Sequence, residues 1–489
     1  MKGNSGVFSP VTLPCGRHVR NRLVKDAPHP TVQVAMYEHL ANFLGGPPNV
    51  YHYALYSKWS EADWGMIITG NVQVSNAHLS LGRDVVLPRH ITEESLKPFR
   101  QWVSSIRGST SPVAIMQLSH TGRQSTNIIG GRLPFQRPLA PSAVPVKPKN
   151  LGWFSDVLHA IMFQTPRPMS LADIDEVVRL FVRGARVALE SGFDGVQLHA
   201  AHGYLLAQFI SPKSNKRTDE YCTEGENALR LLHRVVSSIR ATVPQDFILG
   251  IKLNAADYID PDLAKDTYTN QASPVLNHIR TIARWGGIDF IEVSGGDYEM
   301  PDFLTQPTTS SPRQALFSRF SHAAVQTLAS LPSSPSTPTS PPPLILLTGG
   351  LRTPALLSTA LASRHAHLLG IGRQSVLCPT LPSVLPSLLA SSPSKAFRRE
   401  PDLDMSAWVW GWVPRIPLVG AGVNMAWYVV MMRRLAMGDG VDSEPDYGVG
   451  PVGAVLLMWI WVEWSAWWMR VMGACVVMVG TVMWAWLRV

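Results

Sequence analysis

His199 and His202 stand three residues apart in His-Ala-Ala-His, and Tyr204 follows two residues later. Two imidazoles on one turn can donate to a shared carbonyl oxygen and stabilise negative charge that gathers there. A phenol placed by the same turn can hand over a proton. The spacing also suits a pair of zinc ligands or two purely structural histidines, although no third-ligand motif accompanies them. Further along, Gly349-Gly350 and Gly370-Ile-Gly372-Arg373 combine paired glycines with a guanidinium. Glycine can simply end a strand. Two such pairs, one followed by Arg, instead favour a phosphate site built from close backbone N–H groups and a fixed positive fork.

These groups need a frame. Eight short apolar runs recur along the chain: Asn21–Lys25, Trp64–Asn71, Pro112–Ser119, Gly195–Ala200, Phe247–Asn254, Asp289–Gly296, Leu344–Gly350 and His367–Arg373. Helical patterns separate most of them. After Ser170, Ile174, Val177, Val178, Phe181, Ala185 and Ala188 recur at helical spacing, and Ser170 with Asp173 makes a capping-box-like start. Strands alternating with helices imply parallel pairing through right-handed crossovers. The expected fold is therefore an α/β (β/α)₈ TIM barrel over residues 1–395, with its chemistry at the strand ends. Residues 120–170 form a long Pro-, Gly- and Arg-rich loop, expected as a lid or substrate wall. Ser330–Pro343 is low-complexity and reads as a surface insertion.

Lys and Arg number 43 against 35 acids, a net charge of +8 that is not gathered into a basic block. Nucleic acid is therefore not an expected partner. Four scattered cysteines with no CxxC pair fit a reducing compartment, and the N-terminus shows no signal-peptide pattern.

From about Trp408 the composition changes. Residues 396–450 read as a C-terminal extension and 451–489 as a hydrophobic, Trp-rich tail. Val471–Leu487 is an uncharged run of 17 residues bracketed by Arg470 and Arg488, a candidate membrane span. The expectation is a protein facing the cytoplasm and held at a membrane by this segment. A tail that packs on the barrel or closes a dimer is the competing reading.

The strand-end motifs resemble the Old Yellow Enzyme family of FMN-dependent NAD(P)H:flavin oxidoreductases. The resemblance rests on Leu-Pro-Cys15-Gly, on His202-Gly-Tyr-Leu-Leu-Ala-Gln208-Phe-Ile-Ser-Pro, and on Asn215-Lys-Arg217-Thr-Asp219-Glu-Tyr221. It implies FMN as cofactor, with its phosphate at Gly349, Gly350, Gly372 and Arg373, and NADH or NADPH as reductant. It further implies that Gln117 and Lys252 face the flavin's pyrimidine edge and that Gly70 lies close to the isoalloxazine. A cation at that edge stabilises the reduced flavin, and Lys here keeps the charge of the family's usual Arg without its planar fork. On this reading His199 and His202 hold the carbonyl of an α,β-unsaturated substrate and Tyr204 protonates its α-carbon. No strand-linked GxGxxG marks a second nucleotide domain. Arg217, Asp219 and Tyr221 read as an ion-paired shell for the loop after strand four. His120 and Arg123 are either site-lining or part of a solvated loop.

Three features depart from the family pattern. Asp26–Val34 intervenes before Ala35-Met36-Tyr37-Glu38, Cys222-Thr223 replaces a Gly-Gly, and His367 replaces an Asp. They motivate an alternative in which the barrel is a catalytically degenerate, membrane-tethered binding or scaffold protein.

Overall fold

A computed structural model describes residues 5–25, 38–146, 153–254, 274–294, 312–331, 341–401, 403, 417–438 and 445–460. Eight parallel strands close into a barrel: β1 Leu23–Lys25, β2 Met66–Gln73, β3 Val113–Ser119, β4 Gly195–Ala200, β5 Ile248–Asn254, β6 Phe290–Ser294, β7 Leu344–Thr348 and β8 Leu368–Ile371. Consecutive strands pair in sequence order, and β8 pairs back onto β1. Each falls on one of the eight apolar runs. The run at Leu344 stops at Thr348 because Gly349 and Gly350 turn into the left-handed region, with φ of +98° and +75°.

Alternation along the strands sorts side chains inward and outward. The lower barrel interior is filled by Val24, Met66, Ile68, Ile115, Ile248, Phe290, Leu346 and Leu368, plugged from below by Leu13 and Val19 of an N-terminal hairpin. Gly250 makes this packing possible, since a Cβ there would sit 2.2 Å from Cζ of Phe290. The layer above is polar and includes Gln117, Gln197, Lys252 and Glu292.

The residue just before β4, β6 and β8 does one repeated job. Asp194 Oδ2 accepts from the Ala114 N–H at 2.9 Å, and Asp289 Oδ2 from the Leu249 N–H at 2.7 Å. His367 Nδ1 accepts from the Ile345 N–H at 3.0 Å. The departure from Asp at 367 is thus chemically conservative, because a neutral imidazole supplies the same acceptor. Burial and the nearby Arg22 hold that imidazole below its usual pKa.

Outside the barrel run the longer helices α1 Val50–Ser60, α2 Glu93–Arg107, α3 Leu171–Ser191, α4 Arg230–Arg240, α5 Pro274–Trp285, α6 Pro312–Ala329, α7 Pro354–Ala362 and α8 Leu381–Ser391. α3 begins with the expected capping box of Ser170 and Asp173 and ends at Gly192 in the left-handed region. The region 120–170 is less loop-like than its composition suggests. It carries a helix, Trp153–Met162, and a parallel pair between Leu139–Ala140 and Arg167–Pro168.

Two further helices, α9 Pro417–Met437 and α10 Pro451–Ile460, follow the barrel. α9 lies against α1 and buries Trp427 and Tyr428 in the main core, while α10 packs on α9. Arg433 ties the pair to the loop after β1: it donates to the Leu457 and Met458 carbonyls and to His39. Among the described residues no helix is long and apolar enough to cross a membrane. The expected span 471–487, the insert 26–34 with Tyr37, and most of Ser330–Pro343 lie outside the described residues.

The Cys222-Thr223 turn does not need glycine. Neither residue has a positive φ; Gly225 takes that conformation instead, at +56°.

Candidate active site

β4 delivers His199 at its upper end, and the chain then turns sharply. His202 and Gly203 both adopt left-handed conformations, with φ of +56° and +69°. A non-glycine residue in this region is uncommon and marks a turn held by its surroundings. Here Gln208 holds it, donating to the Gly203 carbonyl at 2.7 Å and to the Thr121 carbonyl at 3.1 Å. Gln208 therefore latches the ends of β3 and β4 together. Asn215 does similar work below, donating to the carbonyls of Phe209 and Tyr221.

The turn brings His199, His202 and Tyr204 into one buried cluster. His202 Nδ1 lies 3.1 Å from His199 Nε2, and His202 Nε2 lies 2.9 Å from Ser294 Oγ. The rings of His199 and Tyr204 are 4.6 Å apart, edge to face. The two imidazoles thus face each other, not a common acceptor. One N–H is shared within the pair, so holding a substrate oxygen with both rings requires that bond to open. Burial, and secondly the charge on Lys252, hold the His199 imidazole well below its usual pKa. It is neutral, and a neutral imidazole is a donor without the cost of a buried cation.

Asn71 was not singled out from the sequence, yet it joins two of the expected residues. Its Nδ2 donates to the Tyr204 hydroxyl at 3.2 Å, and its Oδ1 accepts from Gln117 Nε2 at 2.8 Å. Lys252 has an equally specific partner: its Nζ is 2.6 Å from Glu292 Oε1, and both side chains are 0% exposed. Glu292 Oε2 also accepts from Gln197 Nε2 at 2.8 Å.

Gly70 is also hemmed in by protein neighbours. Its N–H donates to Glu38 Oε1 at 3.1 Å and to the Tyr56 hydroxyl at 2.9 Å. A Cβ would meet the Glu38 carboxylate at 2.6 Å. Behind it, the Lys25 ammonium sits 3.9 Å from the Trp59 ring centroid and donates to the Ile68 carbonyl. The opposite charges of Lys25 and Glu38 compensate each other in a buried layer between β1, β2 and α1, although burial still raises the Glu38 pKa.

At the far side, Gly372 precedes a short helix, Arg373–Leu377, beside the left-handed Gly349-Gly350 pair. Arg373 contacts Glu400, which also lies 3.4 Å from Arg352 Nε. Arg217 and Asp219 form an ion pair, and Arg217 donates to the Met169 carbonyl at 2.6 Å, bracing the loop after β4. His120 and Arg123 are buried, not solvated; Arg123 donates to the Val144 and Pro145 carbonyls.

A profile of the NADH:flavin oxidoreductase / NADH oxidase family matches residues 6–297. The chain belongs to this family. A protein named NADH-dependent flavin oxidoreductase iliE, from Neonectria sp. (strain DH2), is 36% identical over 389 residues, which is 77% of this chain and 48% of that protein. The chain thus spans about half the length of that relative. NADH-dependent flavin oxidoreductase iccE from Talaromyces variabilis is 30% identical over 440 residues, covering 87% of this chain and 97% of the relative. The fold is shared with an Old Yellow Enzyme homologue from Zymomonas mobilis (TM-score 0.57, 21% identity, 80% of this chain and 94% of that one). It is also shared with morphinone reductase (TM-score 0.57, 19% identity, 80% and 92%).

FMN and NAD(P)H are the cofactors of this family, as the motifs implied. The residues present fit FMN. Gln117 Oε1 is buried with no hydrogen-bond partner, as a side chain awaiting a ring N–H would be. The glycine-rich ends of β7 and β8 stand beside the Arg373 guanidinium, which Glu400 holds. The donor set suits a flavin phosphate.

Proposed function

We propose that the protein is an ene-reductase, transferring hydride from NAD(P)H through FMN to an α,β-unsaturated carbonyl compound. The bound flavin supplies the hydride chemistry; the residues at the ends of β2 to β6 bind and protonate. His199 and His202 take the substrate carbonyl and stabilise the enolate oxygen. Ser294 Oγ, 2.9 Å from His202 Nε2, orients that ring. Tyr204 delivers its proton to the α-carbon. Asn71 donates to the phenol oxygen, so the charge left behind is met by a donor already in place. Gln117, Lys252 and Arg373 hold the cofactor.

The observation that carries this reading is the desolvated His199–His202–Tyr204 cluster, joined through Asn71 to Gln117. A scaffold has no need of a buried imidazole pair and phenol converging beside a lysine. The test is His199→Ala with His202→Ala. The double variant retains FMN and its reduction by NAD(P)H but loses enone turnover. Unchanged enone reduction would remove both histidines from the substrate site.

The apolar outer face of α10 supports a second, separate reading, that the C-terminal region seats on a membrane surface. Val452, Leu456, Leu457, Trp459 and Ile460 are 41–64% exposed there. Co-sedimentation of the full chain with phospholipid vesicles tests it; a chain that stays in the supernatant contradicts it.

A further inference from the structure

The two strand registers around Lys252 place it opposite His199 on one side and Glu292 on the other. All three sit in the polar layer of the barrel interior, with no exposure to solvent. Lys252 and Glu292 meet at 2.6 Å, and Gln197 holds the second carboxylate oxygen at 2.8 Å. A buried cation next to a buried anion presents a dipole to its neighbours, not a full charge. Gln197 holds one carboxylate oxygen by a hydrogen bond and Lys252 meets the other as an ion pair, so separating the pair would leave a charge uncompensated in a low-dielectric interior.

We propose that Glu292 is a positioning residue that sets the reduction potential of the flavin, by holding Lys252 and cancelling much of its charge. The inference rests on the FMN reading, in which Lys252 faces the pyrimidine edge. A free cation there favours the reduced, negatively charged flavin. A neutralised one favours it less and leaves the reduced flavin a stronger hydride donor to a substrate of low potential. The notable feature of this site is therefore less the Lys in place of Arg than the acid on the next strand.

The experiment measures the flavin midpoint potential of purified holoenzyme by equilibration with a reference dye. In Glu292→Gln the potential rises by at least tenfold in the two-electron equilibrium, about 30 mV. Gln retains the hydrogen bond to Gln197, and a merely structural role would not move a potential. The paired variant Lys252→Met with Glu292→Gln restores a neutral pair and gives a potential close to that of the unaltered protein. This second variant also serves if the first fails to fold. FMN-loaded Glu292→Gln with an unchanged potential would overturn the proposal alone. So would a paired variant whose potential falls as if a lone positive charge had been removed. An unaltered protein that takes up no FMN would instead overturn the flavin reading and this inference with it.

Discussion

Tyr204→Phe separates substrate protonation from every other role in the site. The substitution removes one oxygen from a fully buried ring whose other contacts, including the edge-to-face packing on His199, remain. Its structural cost comes from Asn71, whose Nδ2 loses the acceptor it has at 3.2 Å while its Oδ1 stays bonded to Gln117. One buried amide donor left unsatisfied costs about 1–3 kcal/mol, a loss visible as a lower urea midpoint but too small to unfold the barrel. The catalytic cost is larger. Removing a positioned general acid slows the step it serves by about 10²–10⁴-fold. Anaerobic stopped-flow at the flavin band resolves the two halves of the cycle. Reduction by NAD(P)H proceeds at the unaltered rate, because no proton from Tyr204 is needed there. Reoxidation by an enone slows by that factor. Equal slowing of both halves, or unchanged reoxidation, would refute Tyr204 as the acid.

Other perturbations read other parts of the account. Gly250→Ala drives a methyl group to about van der Waals overlap with Phe290, 2.2 Å from Cζ, and costs about 1–3 kcal/mol of stability. Adding Phe290→Leu recovers part of that loss in urea unfolding, and strictly additive effects would show that the two do not touch. Acid lowers stability early. Burial holds His52 and His120 down to about 3, against roughly 6.5 in the unfolded chain, so only the unfolded state takes up their protons in that window. Stability is therefore full above that upper value and declines as pH falls toward the lower one, by about 1.4 kcal/mol per pH unit for each histidine. His120→Asn flattens the decline measured by urea titrations at several pH values; an unchanged slope contradicts the assignment. Arg373→Ala weakens FMN retention by about 10- to 100-fold in equilibrium dialysis, the loss of one charge-assisted contact. Full occupancy at limiting FMN would remove Arg373 from the phosphate site.

The barrel was legible in the sequence because each strand is a short apolar run that ends in a glycine or a polar residue, and buried parallel strands leave that trace. The turn after β4 was legible for a different reason: His202-Gly203-Tyr204 through Gln208 is a continuous motif, and its residues meet within one turn. What escaped notice lies across strands. Asn71 ends an apolar run and looks like a strand terminator until β2 and β3 are put in register beside Tyr204. Glu292 stands in a quoted strand end, yet its pairing with Lys252 follows only from the β5–β6 alignment. Gly70 has a close neighbour that no local motif reveals, Glu38, a residue 32 positions earlier in the chain. His367 looked like a lost acid because residue type was compared, not the acceptor it supplies. Despite the Trp-rich composition after Trp408, the segment 420–428 reads as family sequence and not as added tail, and α9 carries Trp427 and Tyr428 into the barrel's own core.

The most direct measurement is the absorbance spectrum of the purified full-length protein, with any released flavin identified after denaturation. The account predicts stoichiometric FMN, bleached anaerobically by NADH or NADPH and restored by an α,β-unsaturated carbonyl compound. A folded protein that carries no flavin, and takes up none when FMN is added, would contradict it.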